Sequence, residues 1–80
     1  MTKIQIEIKA QVVKLAYDQN KSLLAPREKD VIMKYYGISP EVRHSLAELG
    51  EIFGVTRERI RQIKVSALEK LGVESKVDLK

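Results

Sequence analysis

SLAELGEIFGVTRERIRQI, Ser45 to Ile63, is the stretch that decides the fold. It reads as a short helix from Leu46 to Phe53, a turn, and a second capped helix. Ser45 and Glu48 stand at the S-x-x-E spacing of a capping box, each side chain within reach of the other's backbone N–H. Gly54 can take the positive φ that a tight turn needs. Thr56 caps the next helix, with Val55 and Ile60 placed as a hydrophobic staple around it. Gly50 is small where the second helix must approach the first. Leu49, Phe53, Val55, Ile60 and Ile63 are apolar where the two helices and their support meet. This is the layout of a helix-turn-helix.

The outer face of the second helix is polar. Arg57, Glu58, Arg61 and Gln62 project together, because residues three and four apart are neighbours on a helix. Arg59 and Lys64 flank them. Side chains near the start of such a helix reach base edges in a major groove. Arginine can donate two bonds to guanine, glutamine can pair with adenine, and glutamate can accept from cytosine. Simple solvation is the other account of a charged helix face. Two placements favour an anionic partner. Arg57 and Arg61 are like charges at i,i+4, and Arg57 and Arg59 sit near the positive end of the helix dipole.

Outward from this core, Pro26 suits the first position of a helix that Gly37 ends as a left-handed residue. Ala25 is a poor N-cap for it. Residues 38–44, with Pro40, form a loop. The last helix carries the stripe Ile60, Ile63, Ala67, Leu68 and Leu71 and ends at Gly72. Nearer the N-terminus the pattern is double. Ile4, Ile6 and Ile8 alternate like a strand, whereas Ile4, Ile8, Val12, Leu15 and Ala16 share a helical face. We expect a helix from about Glu7 to Asn20 after a loose arm, with a strand pairing to a second chain as the alternative. The expected organisation is an N-terminal arm and helix over 1–23, the helix-turn-helix domain over 24–72, and a frayed tail over 73–80. The fold class is all-α: a four-helix domain with a C-terminal helix-turn-helix.

Eighty residues make one small domain with a thin core. The net charge of +4 and a pI of about 9.5 weakly favour polyanion partners. There is no cysteine, which fits a reducing compartment. No apolar run approaches the roughly 20 residues of a membrane span, and no signal-peptide pattern opens the chain. A cytoplasmic protein is expected. His44 is the only histidine, and no glycine-rich phosphate loop or metal-ligand cluster accompanies it. Neither an enzyme, a cofactor, a metal nor a small-molecule substrate is expected.

VTRERIRQI, Val55 to Ile63, resembles the signature of the C-terminal promoter-recognition domain, region four, of the principal bacterial sigma factors. LAPREKDVIMKYYGI, Leu24 to Ile38, resembles the first helix of that domain, SLAELGEIFGVTRERIRQI its helix-turn-helix, and SALEKL, Ser66 to Leu71, the end of its last helix. The resemblance implies a winged-helix-like region-four fold and binding to a −35 promoter element, TTGACA-like, as duplex DNA. It implies base reading by Arg57, Glu58, Arg61 and Gln62. It implies backbone contacts by Arg27, Ser45, Leu46, Arg59 and Lys64, those of Ser45 and Leu46 through N–H groups at a helix start. It also implies a protein partner, the RNA polymerase β-subunit flap, in a groove that Val31, Ile32 and Tyr35 would line, and hence association with the nucleoid through polymerase; taken one by one, each of the three fits the core of the domain better. A second, sigma-like subunit is a further candidate partner, because no aromatic-rich segment for capturing melted bases is present.

Departures from the pattern are Ala25 where a polar cap is usual, and Met33 and Tyr35 where a basic residue is common. Ser66, Glu69 and Gly72 replace basic positions that serve activator contacts. Two rival readings remain. LuxR-type output domains also begin L-T-P-R-E and end near K-L-G-V, as Lys70 to Val73 do, but lack the RERIRQI run. A protein-interaction module that binds polymerase or a sigma partner without reading DNA would have no use for the set Arg57, Glu58, Arg61 and Gln62.

Overall fold

The computed structural model describes residues 3–38 and 40–73, with side chains from Ala10 onward. It contains four α-helices: α1 (Lys3–Asn20), α2 (Pro26–Tyr36), α3 (Leu46–Phe53) and α4 (Arg57–Leu71). A 3-10 turn over Lys21–Leu23 joins the first two. No strand occurs among the described residues.

The start of α1 lies at Lys3, about four residues before the position expected from the pattern. Nothing in KIQIEIKAQ stops a helix. It has no glycine or proline, and each isoleucine costs under about 0.7 kcal/mol of helix propensity relative to alanine. The backbone of Lys3 to Glu7 is therefore helical rather than a loose arm or a strand. Met1, Thr2 and the expected tail beyond Val73 lie outside the described residues.

The other boundaries follow their caps. Ala25 offers α2 no side-chain acceptor, so only the reciprocal half of a box forms, with Glu28 Oε1 accepting from the Ala25 N–H at 2.8 Å. At α3 both halves are present. Ser45 Oγ accepts from the Glu48 N–H at 3.1 Å and Glu48 Oε1 from the Ser45 N–H at 2.7 Å. Thr56 Oγ1 accepts from the Arg59 N–H at 3.0 Å and opens α4.

The turn between α3 and α4 is tight for two reasons. Gly54 sits at φ 72° in the left-handed region, and the N–H groups of Gly54 and Val55 both return to the Gly50 carbonyl. A Cβ on Gly50 would stand 2.8 Å from the Val55 carbonyl oxygen. That separation is too short for a side chain, so the backbones of α3 and the turn touch directly.

α4 packs against all three other helices. Its Ile60, Ile63, Ala67, Leu68 and Leu71 enter one core with Val13 and Tyr17 of α1, Val31 and Ile32 of α2, and Leu49 of α3. The loop before α3 is tied back to α2. The His44 N–H donates to the Lys34 carbonyl at 2.8 Å, and the Lys34 ammonium meets Glu41 at 2.9 Å. α3 is thereby held across α4, and the outer face of α4 stays uncovered.

Candidate nucleic-acid interface

Arg57, Glu58, Arg61 and Gln62 occupy the first two turns of α4 and are all exposed. Their alternation with the fully buried Ile60 sets the geometry, since the core holds one side of the helix and turns the other outward. Within this set, Arg61 and Glu58 form a two-point pair. Nε donates to Oε1 at 3.0 Å and Nη2 to Oε2 at 2.6 Å. These hydrogen bonds hold the Glu58 carboxyl below its ordinary pKa and raise that of Arg61.

Arg27, Arg43, Arg57 and Arg59 differ from Arg61. All four are exposed, and none has a carboxylate partner among the described residues. They lie in pairs on two open clefts. Arg43 and Arg57 line one, with Ser45, Leu46 and Ala47 at the start of α3. Arg27 and Arg59 line the other, beside Gln62. The guanidinium of Arg27 stacks over the Phe53 ring at 4.5 Å from its centroid. Arg43 had no motif to flag it in an irregular loop. The loop's ties to α2 bring it to the cleft.

One expectation needs correction. Lys64, expected at the DNA backbone, is 3% exposed, with its ammonium 4.6 Å from the centroid of the Tyr35 ring. It follows Ile63 on the inward side of α4, and its long stem lets it enter the core region. Val31 and Ile32 are fully buried in the core, the place each fits best on its own, while Tyr35 is 9% exposed and also lines the cleft of Arg43 and Arg57. Large aliphatics that are exposed near the N-terminal end are Val12 and Leu15 of α1 and Leu23 of the turn. Val12 and Leu15 lie one turn apart, facing away from Val13 and Tyr17, which enter the core.

Glu28 also escaped notice in the sequence. It is 9% exposed and accepts from the Ala25 N–H, Ser66 Oγ at 3.1 Å and the Lys70 ammonium at 2.9 Å. Burial raises its pKa, but the hydrogen bonds from Lys70, Ala25 and Ser66 outweigh this and leave it below the ordinary value. It fastens the start of α2 to the C-terminal half of α4 and, with Ser66, forms part of the lining of the Arg27 and Arg59 cleft.

A capped helix with a cationic outer face, crossed tightly over a short partner, places the chain among helix-turn-helix modules. The family is narrower. The model of sigma-70, region 4, matches residues 22–71, and the chain belongs to that family. It is 52% identical over 50 residues to the RNA polymerase sigma factor SigA1 of Synechococcus elongatus, covering 62% of this chain and 12% of that protein. To SigA of a Nostoc species it is 54% identical over 48 residues, 60% of this chain and 12% of the relative. To RpoD of Neisseria gonorrhoeae it is 47% identical over 55 residues, 69% and 9% respectively. The chain thus spans about an eighth or less of the length of these relatives. No solved structure matches. No helix of the described residues is long and apolar enough to cross a membrane.

Proposed function

We propose that this chain binds duplex DNA at a −35-like promoter element and acts in transcription initiation with RNA polymerase, in the cytoplasm. The observation that carries this is the placement of Arg27, Arg43, Arg57 and Arg59, without carboxylate partners, in two clefts beside the exposed start of α4. Phosphates from the backbone on either side of a groove would meet these clefts while α4 enters the groove between them. The N–H groups at the start of α3 add donors to the first cleft. Arg57 and Gln62 then reach base edges directly, and Glu58 and Arg61 reach them as a linked pair.

Polymerase supplies the second half of the function. The flap helix of its β-subunit would dock on an apolar part of the domain, for which Tyr35 at the Arg43 and Arg57 cleft and the exposed Val12, Leu15 and Leu23 are the candidates. The domain alone makes few contacts, and flap binding raises its effective concentration at a promoter.

Fluorescence anisotropy with a TTGACA duplex and a scrambled duplex, at several salt concentrations, tests the DNA half. We expect preference for TTGACA that Arg57→Ala clearly reduces. Equal, steeply salt-dependent binding to both duplexes means that only the backbone is sensed. Absence of binding at low salt leaves the protein-interaction module as the function.

A further inference from the structure

We propose that Phe53 is a positioning residue for DNA binding, holding the Arg27 guanidinium ready for a backbone phosphate. The proposal rests on the DNA-binding function given above. Arg27 leaves the first turn of α2 on a long, exposed side chain. Left to itself such a chain samples many rotamers, and fixing it on binding would cost affinity. Phe53 is the last residue of α3, half-buried and packed against the core, so its ring is a fixed platform. The Arg27 guanidinium lies 4.5 Å from the ring centroid.

The manner of holding matters. A carboxylate partner would restrain Arg27 by occupying its N–H donors, as Glu58 does for Arg61. An aromatic face restrains the guanidinium through its plane and leaves the donors at its rim available. No carboxylate pairs with Arg27 among the described residues. Phe53 and Arg27 also sit on different helices, so the stack fixes the α2 contact relative to the helix-turn-helix. Arg59 and Gln62 line the same cleft as Arg27. A phosphate caught there therefore sets the register of the base-reading side chains beside it.

The test is a double-mutant cycle on the full chain, read by anisotropy with labelled TTGACA and scrambled duplexes at low salt. The variants are Arg27→Ala, Phe53→Leu, their combination, and Phe53→Tyr, each shown folded by a thermal melt. Phe53→Met serves the same cycle should the leucine variant melt at the assay temperature. Loss of the ring is expected to weaken binding about 2–5-fold on both duplexes, the range of an exposed cation–π contact. That loss should vanish in the Arg27→Ala background, and Phe53→Tyr should bind like the parent. The salt slope should fall by about 1 in Arg27→Ala and stay unchanged in Phe53→Leu. A loss that persists undiminished without Arg27, or that tyrosine does not restore, overturns the proposal and makes Phe53 a packing residue only. If Arg27→Ala weakens binding and Phe53→Leu does not, the proposal alone fails. If neither Arg27→Ala nor Arg57→Ala alters binding, the DNA-binding function fails and the proposal with it.

Discussion

The carboxylate of Glu28, in the first turn of α2, accepts a 2.9 Å hydrogen bond from the Lys70 ammonium in the last turn of α4, 42 residues away. The two partners contribute unequally. The Lys70 side chain is 45% exposed, so solvent screens its share. Glu28 is nearly enclosed and also satisfies Ser66 and the Ala25 N–H. We expect Glu28→Ala to cost about 2 kcal/mol of stability, since it leaves donors without their charged acceptor, and Lys70→Ala under about 1 kcal/mol. Urea melts of the two variants check the ranking, and equal losses would contradict it.

The same carboxylate sets an acid limb. Its folded pKa lies below the ordinary 4.5. The stability it contributes is therefore fully present above 4.5 and is lost as pH falls through the lower, folded value. Melting temperature should drop more steeply below that point in the parent than in Glu28→Gln. Parallel curves would mean that Glu28 titrates alike in folded and unfolded chains.

The proposed roles on DNA separate base-reading from backbone side chains. Arg57→Ala and Gln62→Ala should each remove about 1–3 kcal/mol of discrimination at one base pair. Arg27→Ala should weaken all sequences alike. Binding to a panel of single-base variants of TTGACA reads both, and a changed preference in Arg27→Ala with an unchanged one in Arg57→Ala would reverse the assignment.

Arg43 is exposed at a cleft although no motif marks it, and Lys64 is buried although its type suggests the surface. Arg43→Ala should reduce the salt slope of DNA binding by about 1, the value for one phosphate contact. Lys64→Ala should leave that slope unchanged while lowering the melting temperature, because its stem and ammonium pack over Tyr35. A slope that falls in Lys64→Ala and holds in Arg43→Ala would restore Lys64 to the backbone contacts.

Gly50→Ala tests the crossing of α3 and α4. Overpacking against the Val55 carbonyl should cost about 1–3 kcal/mol, against about 1 kcal/mol of helix propensity gained. The expected net is destabilisation of about 1 kcal/mol, seen in denaturant melts. A stabilised variant would show that the turn yields without cost.

Helices α2, α3 and α4 were legible because their signals are local. Ser45 with Glu48, Thr56, Pro26 and the glycines at 37, 54 and 72 act within a turn or two of their own positions. The exposure of Arg57, Glu58, Arg61 and Gln62 was legible too, since the apolar stripe of α4 dictates which side is covered. What remained hidden depends on distant contacts. Lys64 carries the charge of a surface residue, and its place inside, with the ammonium over the Tyr35 ring, depends on contacts distant in sequence. Glu28 gains its meaning from Ser66 and Lys70, 38 and 42 residues on. Val31 and Ile32 fit a core by their helical spacing alone, and only the resemblance offered them a groove. The early start of α1 was missed because alternating isoleucines satisfy both periods.

In the Glu58 and Arg61 pair the charges on the proposed reading edge of α4 cancel, while charge without a carboxylate partner lies at Arg27, Arg43 and Arg59 in the clefts and at Arg57, which belongs to cleft and edge alike. Retention on a duplex and choice among duplexes would then answer to different conditions. Raising ionic strength would shorten the dwell at every site through the clefts, and would touch the ranking of sites through Arg57 more than through the Glu58 and Arg61 pair. A search over unrelated sequence could proceed with Glu58 and Arg61 still joined, their separation delayed until a matching base pair offers each a replacement partner.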